Sequence, residues 1–278
     1  MWSIGIYTGD SPFQLRGAAN NPVLRNTDVT DIEAEFVADP FMLHADGRWH
    51  MFFEVWNRET QRGVIALATS HDGFTWSYQQ VVLEESFHLS YPYVFEWQGE
   101  YYMIPETLGA SAVCLYRADE FPTRWSRQQN LMAGAYADAS LVRYNDLWWL
   151  FTCTAPYQHD VLRLYFARDL DGPWKEHPRS PIISNDQSRA RPAGRVLQRD
   201  GHLIRFAQDC VPEYGTRVRA FEISQLTRDR YVEKEQRNSL VPSGEGWNAK
   251  GMHHVDAHLQ TDGTWIACVD GRHGAHIC

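Results

Sequence analysis

The chain has no CxxC pair, and its five cysteines (Cys114, Cys153, Cys210, Cys268 and Cys278) are odd in number and widely spaced. That argues against a disulfide framework and against a zinc site. Cys114, Cys153 and Cys268 fall inside predicted strands, where a thiol behaves as a small apolar residue. No run of eighteen apolar residues occurs, so no membrane-spanning helix is predicted. The start, Met1 to Ile6, lacks a charged region followed by a long apolar one. No secretory signal is therefore expected, and a cytoplasmic location is the expectation. There is no dense Lys/Arg run, and the formal net charge is −9, which argues against nucleic acid or an anionic membrane as the main partner. Low-complexity segments are also missing, and 44% hydrophobic content is enough to build a core.

What is present is a phrase that returns five times, about every fifty residues: Ala38–Glu54, Ser90–Glu106, Ala137–Cys153, Arg191–Asp209 and His253–Asp270. Each copy has a polar start, a short apolar strand, a turn (AspGly, GlnGly, AsnAsp, AspGly, AspGly) and a second apolar strand. A fixed period of this size marks a repeat architecture, and a multi-strand unit points to a β-propeller. A further strand and an aromatic turn follow the hairpin, ending at Trp76, Trp125, Trp174 and, in the fourth copy, Tyr231. These aromatics are expected to pack between neighbouring units. The fifth copy lacks this outer half. Ser3–Leu15 resembles Ile65–Trp76, so the N-terminal strand is expected to complete the last blade and close the ring, removing exposed edges. The prediction is all-β: one five-bladed domain over 1–278, with blades near 38–80, 90–130, 137–180, 190–235 and 253–278 plus 1–15. A single all-β domain of this length is ordinary.

In such a ring, the innermost strands begin and the second strands end on one face, around the central channel. Strand starts nominate Asp39, Tyr91, Asp138, Arg191 and the group His253, His254 and Asp256. Strand ends nominate Glu54, Glu106, Asp209 and Asp270. So many carboxylates on one channel must be paired with Arg or His, or hold raised pKa values. Aromatic residues at 13% suit β packing and sugar binding alike.

Ala38-Asp39-Pro40 and Asp138-Ala139-Ser140 resemble the openings of the five-bladed glycoside hydrolases of family 43 and of the invertase-type families. The resemblance implies a general base at Asp39 and a tuning, orienting role for Asp138. It departs in the fourth blade, where the family places a Glu as general acid and this chain reads Arg191-Pro192-Ala193-Gly194-Arg195. Over nearly the whole chain, the phrases IGIYTGDSPF, FVADPF, ADASL and RPAGR…RFAQD…YG resemble the N-terminal domain of plant glucosamine inositolphosphorylceramide transferase and its bacterial relatives. Those relatives accompany polysaccharide biosynthesis, so a glycosyltransferase partner or fused domain is implied.

Glu106 is the first candidate for the missing acid, with Pro105 fixing its backbone and Tyr101 and Tyr102 expected to supply apolar surroundings that raise its pKa. Glu54 is the second. For either Glu, pairing with Arg191 or with a His is an equal expectation. Arg189, Arg191 and Arg195 form a cluster in the fourth blade, with Arg205 expected nearby; Arg191 suits capture of an anionic sugar or sugar phosphate, while Arg189 and Arg195 are expected to neutralise channel carboxylates. Strand alternation would put His254, Asp256 and His258 on one face and His253 on the other. His253, His254 and Asp256 beside His258 invite a metal reading, but a strand His is more often a hydrogen-bonded core residue, so no metal ligand and no cofactor are expected. The resemblance implies a channel ion, such as calcium, near His254. The histidines of the closing run, His273 and His276, carry no recognisable spacing.

Two functions remain open. The first is a glycosidase or transglycosidase using Asp39, Glu106 and Asp138, with Glu54, Tyr91, Arg191, Asp209, His254 and Asp256 binding substrate. The second is a non-catalytic carbohydrate-binding propeller in a polysaccharide or glycolipid pathway.

Overall fold

A computed structural model describes residues 1–199, 201–237 and 240–274 of the protein. Asp200 of the fourth hairpin turn, His276 and Cys278 lie outside the described residues. The chain opens with β1 (Trp2–Gly9) and β2 (Arg16–Gly17). Blade 1 is β3 (Ala34–Ala45), β4 (Arg48–Asn57), β5 (Arg62–Ser70) and β6 (Ser77–Leu83). Blade 2 is β7 (Ser90–Trp97), β8 (Glu100–Glu106), β9 (Ala112–Glu120) and β10 (Arg124–Ala133). Blade 3 is β11 (Ala137–Tyr144), β12 (Leu147–Cys153), β13 (Leu162–Ala167) and β14 (Lys175–Glu176). Blade 4 is β15 (Arg191–Pro192) and β16 (Leu197–Arg199), both paired to β17 (His202–Asp209), then β18 (Arg217–Leu226) and β19 (Tyr231–Glu235). Blade 5 is β20 (Val255–Leu259) and β21 (Trp265–Arg272), completed by β1 and β2.

The N-terminus therefore supplies two outer strands, not one. β1 runs antiparallel to β21 from the pair Trp2–Arg272 to the pair Gly9–Trp265, and this seam closes the ring. Five sheets, each four strands deep, make a five-bladed β-propeller, as the repeat predicts.

Burial follows position in the blade. β4 and β12 are buried along almost their whole length, because neighbouring blades cover both of their faces. β6, on the rim, is largely exposed. Three hairpin turns have both central residues at positive φ: Asp46 and Gly47 (52° and 72°), Gln98 and Gly99 (55° and 83°), Asn145 and Asp146 (50° and 58°). That is the two-residue turn whose twist matches the flanking strands.

The outer aromatics pack between blades. Trp125 meets Phe52 of blade 1 edge-on at 5.4 Å, and Tyr231 meets Phe151 of blade 3 at 5.9 Å. Trp76 joins a cluster with Ile4, Ile6 and Ile266 of blade 5. Trp125 and Trp76 each turn their indole N–H to a backbone carbonyl, of Pro122 and Gly73, so burial leaves neither donor unmet.

Candidate active site

Three strand starts share one backbone device. Ala38 faces Glu54 while Phe41 faces Phe52, three steps along one strand against two along the other. The same slip falls between Ser90 and Tyr93 and between Ala137 and Ser140. The residues inside these bulges, Asp39, Tyr91 and Asp138, sit at φ of 51°, 47° and 54°. A left-handed conformation costs a non-glycine residue about 1 kcal/mol or more and persists only where the surroundings enforce it. Blade 4 cannot repeat the device, because Pro192 holds φ at about −65° at that position. Its irregularity falls further on, at Gly194 with φ 131°. A Cβ there would lie 1.8 Å from the Val255 carbonyl oxygen, so only glycine lets blades 4 and 5 meet.

Arg191 is the hub of the first network. Its Nε donates to Asp138 Oδ2 at 2.5 Å, and its Nη2 reaches Glu106 Oε2 at 3.4 Å. Its Nη1 donates to the Pro156 carbonyl at 3.0 Å and to His159 Nδ1 at 2.9 Å. His159 is held neutral, its pKa lowered to about 4 by burial and by Arg191, and so accepts at Nδ1. Gln208 Nε2 adds a second donor to Asp138 Oδ2 at 2.8 Å. Burial pushes Glu106 well above the usual carboxylate range. The Asp138 charge and a hydrogen bond to it add to this, outweighing Arg191, whose shorter bond goes to Asp138.

The second network surrounds Asp39. Its Oδ1 lies 3.8 Å from His253 Nε2 and 3.7 Å from His254 Nδ1. Asp270 organises the group: it accepts backbone N–H from Asp39, His253 and His254, and its Oδ2 lies 2.5 Å from His253 Nδ1. Blade 1 is thus latched to blade 5 at the channel. Burial pushes Asp39 up to about 7, with His253 opposing and Asp270 and Asp138 adding. For Asp270 burial is outweighed by His253 and the donors it accepts, and its pKa is lowered. His254 is wedged edge-on against Phe41 and Tyr91 and is kept neutral by burial, its pKa lowered to about 4.

Glu54 lies between these networks in character. Burial, then the charges of Asp39 and Glu106, push it well above the usual range. Its nearest basic group is His88, whose Nε2 is 3.7 Å from Oε1. His88 accepts the Gly63 N–H at Nδ1, and burial lowers its pKa to about 4, so it is a neutral neighbour. Of the pairings expected for the two Glu, that of Glu106 with Arg191 occurs, whereas Glu54 has only the neutral His88 beside it.

Several expected placements differ. Asp209 is one residue past Gln208, and Gln208 is the residue opposite Arg191. One step along a strand reverses the face. Asp209 turns to Arg217 and Arg219, at 2.8 Å each, and Gln208 takes the position equivalent to Glu54 and Glu106. Asp256 is bound by Arg195, His258 and the Met42 N–H, a structural knot whose partners hold its pKa low. Tyr91 is fully buried, its hydroxyl 2.7 Å from Ser140 Oγ and 3.1 Å from the Gly194 carbonyl. His253 and His254 precede β20, so alternation does not apply and both rings approach Asp39. Tyr101 and Tyr102 lie at the far end of β8, stacked on Phe121 and Phe95, and do not surround Glu106. Arg189 pairs with Asp186 and not with a channel carboxylate, whereas Arg205 does lie beside the arginine cluster, donating to the Arg189 carbonyl at 3.0 Å while pairing with Glu233.

Four further residues complete the site. The Tyr214 ring lies 5.2 Å from the Arg191 guanidinium and 5.1 Å from the His253 ring, bridging the two networks. Tyr214, His88 and His159 lie outside the strand starts and ends, where no repeat signal marks them. Gln208 is legible in the fourth phrase only when the repeats are aligned by register.

Asp39, His253 and Asp270 each offer one ligand atom, all within 4.8 Å of one another. Asp39 Oδ1 and both His254 ring nitrogens are buried without a hydrogen-bond partner among the described residues. This donor set fits a single cation, which would supply charge compensation for Asp39.

The chain is a five-bladed β-propeller with an acid-lined channel, a fold it shares with several solved structures. Over 96% of both chains it superposes on a β-1,2-mannobiose phosphorylase from Listeria innocua, with a TM-score of 0.69 and 12% identity. It also superposes on a family 117 glycoside hydrolase from Zobellia galactanivorans, with a TM-score of 0.58 and 17% identity, over 96% of this chain and 90% of that one. At such identities the shared property is the fold. In sequence, residues 1–272 match the family model for glucosamine inositolphosphorylceramide transferase 1, N-terminal, and the chain belongs to that family. Glucosamine inositolphosphorylceramide transferase 1 of Oryza sativa subsp. japonica is 36% identical over 97% of this chain. The match spans 40% of that relative's length.

Proposed function

We propose that the channel is a glycan-processing site of the glycosidase or transglycosidase type, in which Asp39 works as the carboxylate and a protonated Glu as the acid. One observation carries this. Burial pushes the carboxyls of Glu54 and Glu106 well above the usual carboxylate range, beside an Asp39 pushed up to about 7 and adjoining His253 and His254. Cleavage of a glycosidic bond needs such a split, one carboxyl to protonate the leaving oxygen and one carboxylate to activate water or attack the anomeric carbon. Glu54 is the better acid, because its neighbour His88 is neutral whereas Glu106 is tied to Arg191. Asp138, clamped by Arg191 and Gln208, orients Glu106 and adds negative potential. The rice relative is named for a sugar, glucosamine, and for inositolphosphorylceramide. That favours a sugar of the glycolipid or polysaccharide-building kind, handled together with a glycosyltransferase domain or partner.

Arg191 supports a second reading, a propeller that binds sugar without cleaving it, since a guanidinium stands where related folds bring an acid. A screen of aryl glycosides and glycans with wild type, Asp39→Asn, Glu54→Gln and Glu106→Gln separates the two. The hydrolytic reading expects turnover that falls about a hundredfold or more in Asp39→Asn and Glu54→Gln, in keeping with loss of acid–base catalysis. Saturable sugar binding with no turnover in any variant supports the binding reading. Equal turnover in all four proteins sinks the residue assignment.

A further inference from the structure

Away from the channel, where the segment between β1 and β2 meets blade 4, a cavity of about 580 Å³ is lined by Phe13, Gln14, Leu15, Arg16, Arg217, Arg237 and Val241. Three arginines line it and no carboxylate does among the described residues, although Arg217 is itself paired with Asp209 beyond the lining. The chain is not short of acids, with 35 Asp and Glu against 26 Lys and Arg, so an all-cationic lining is a local arrangement. The side chains of Arg16 and Arg237 have no ion pair or hydrogen bond among the described residues. Arg217 spends its Nε on Asp209 and makes no further side-chain bond among them. Like charges around one cavity repel one another unless an anion joins them.

We propose that this cavity binds a phosphorylated polyol or sugar. The guanidinium fork matches phosphate oxygens in pairs, and the two forks of Arg16 and Arg237, with the remaining Nη groups of Arg217, suit a doubly charged group better than a single carboxylate. The space is an open groove, larger than a bare phosphate fills, and Gln14 adds hydrogen-bonding capacity for hydroxyls. Phe13 and Val241 add an apolar edge. A soluble sugar phosphate and the headgroup of a phosphoinositide-type lipid share this chemistry. The site is independent of the channel assignment.

The test is calorimetric titration of the protein with inositol monophosphate, inositol and inorganic phosphate, alongside flotation with phosphatidylcholine vesicles containing or lacking phosphatidylinositol. Arg16 and Arg237 are both exposed, so an Arg16→Gln/Arg237→Gln variant retains the fold, which thermal denaturation verifies. The expected result is saturable binding of inositol monophosphate, weakened about tenfold or more in the double variant. Retention only on phosphatidylinositol vesicles, lost in the double variant, supports the headgroup as source. Inorganic phosphate bound as tightly as inositol monophosphate overturns the polyol assignment. Binding unchanged in the double variant, or none to any probe, overturns the site.

Discussion

Arg191 of blade 4 donates through Nε to Asp138 of blade 3 at 2.5 Å, with both side chains buried. The bond closes the channel between two blades and leaves Glu106 within reach of the same guanidinium. Replacing Arg191 by Met strands a buried carboxylate. Such a loss costs about 3–5 kcal/mol, and Arg191→Lys, which keeps the charge but not the fork, falls between. Urea denaturation of the three proteins at neutral pH measures it.

The pH dependence of stability follows from Asp39. Its pKa in the folded protein is raised from 3.8 to about 7, so the folded state holds a proton that the unfolded chain has released. The contribution is complete below about pH 4 and lost as pH rises through 7. Asp39→Asn, which imitates the protonated form, is therefore expected to be more stable than wild type at pH 8, by up to about 4 kcal/mol. The gap should close at about pH 4. Thermal unfolding across this range checks the sign.

Tyr91 is expected to matter through its hydroxyl. It accepts the Gly194 N–H at 2.5 Å and meets Ser140, tying blades 2, 3 and 4. Tyr91→Phe leaves a buried amide unmet and should cost about 1–3 kcal/mol, read from the shift in denaturation midpoint.

Gly194→Ala should do worse. It combines a positive φ with a Cβ placed on the Val255 carbonyl, so loss of soluble protein on expression is the expected outcome. A soluble variant of wild-type stability would contradict the close contact of blades 4 and 5 at this point.

Trp125→Ala tests the interblade packing. It removes a buried ring set against Phe52 and should cost about 3–5 kcal/mol in the same denaturation assay.

Much of this was legible in the chain. The spacing of hairpin phrases and outer aromatics specified five blades, and the likeness of Ser3–Leu15 to Ile65–Trp76 specified how the ring closes, because period and apolar alternation are local properties of a strand. The gathering of Asp39, Glu54, Glu106 and Asp138 on one channel followed from hairpin geometry. Tertiary structure alone decided how the carboxyls of Asp39, Glu54 and Glu106 are shifted upward, since that depends on burial and on neighbours far along the chain. Arg191 lies 53 residues from Asp138 and 85 from Glu106. It also decided the face of the fourth blade, where a single step of register puts Gln208, and not Asp209, into the channel. No local pattern distinguishes two adjacent polar residues whose side chains point opposite ways.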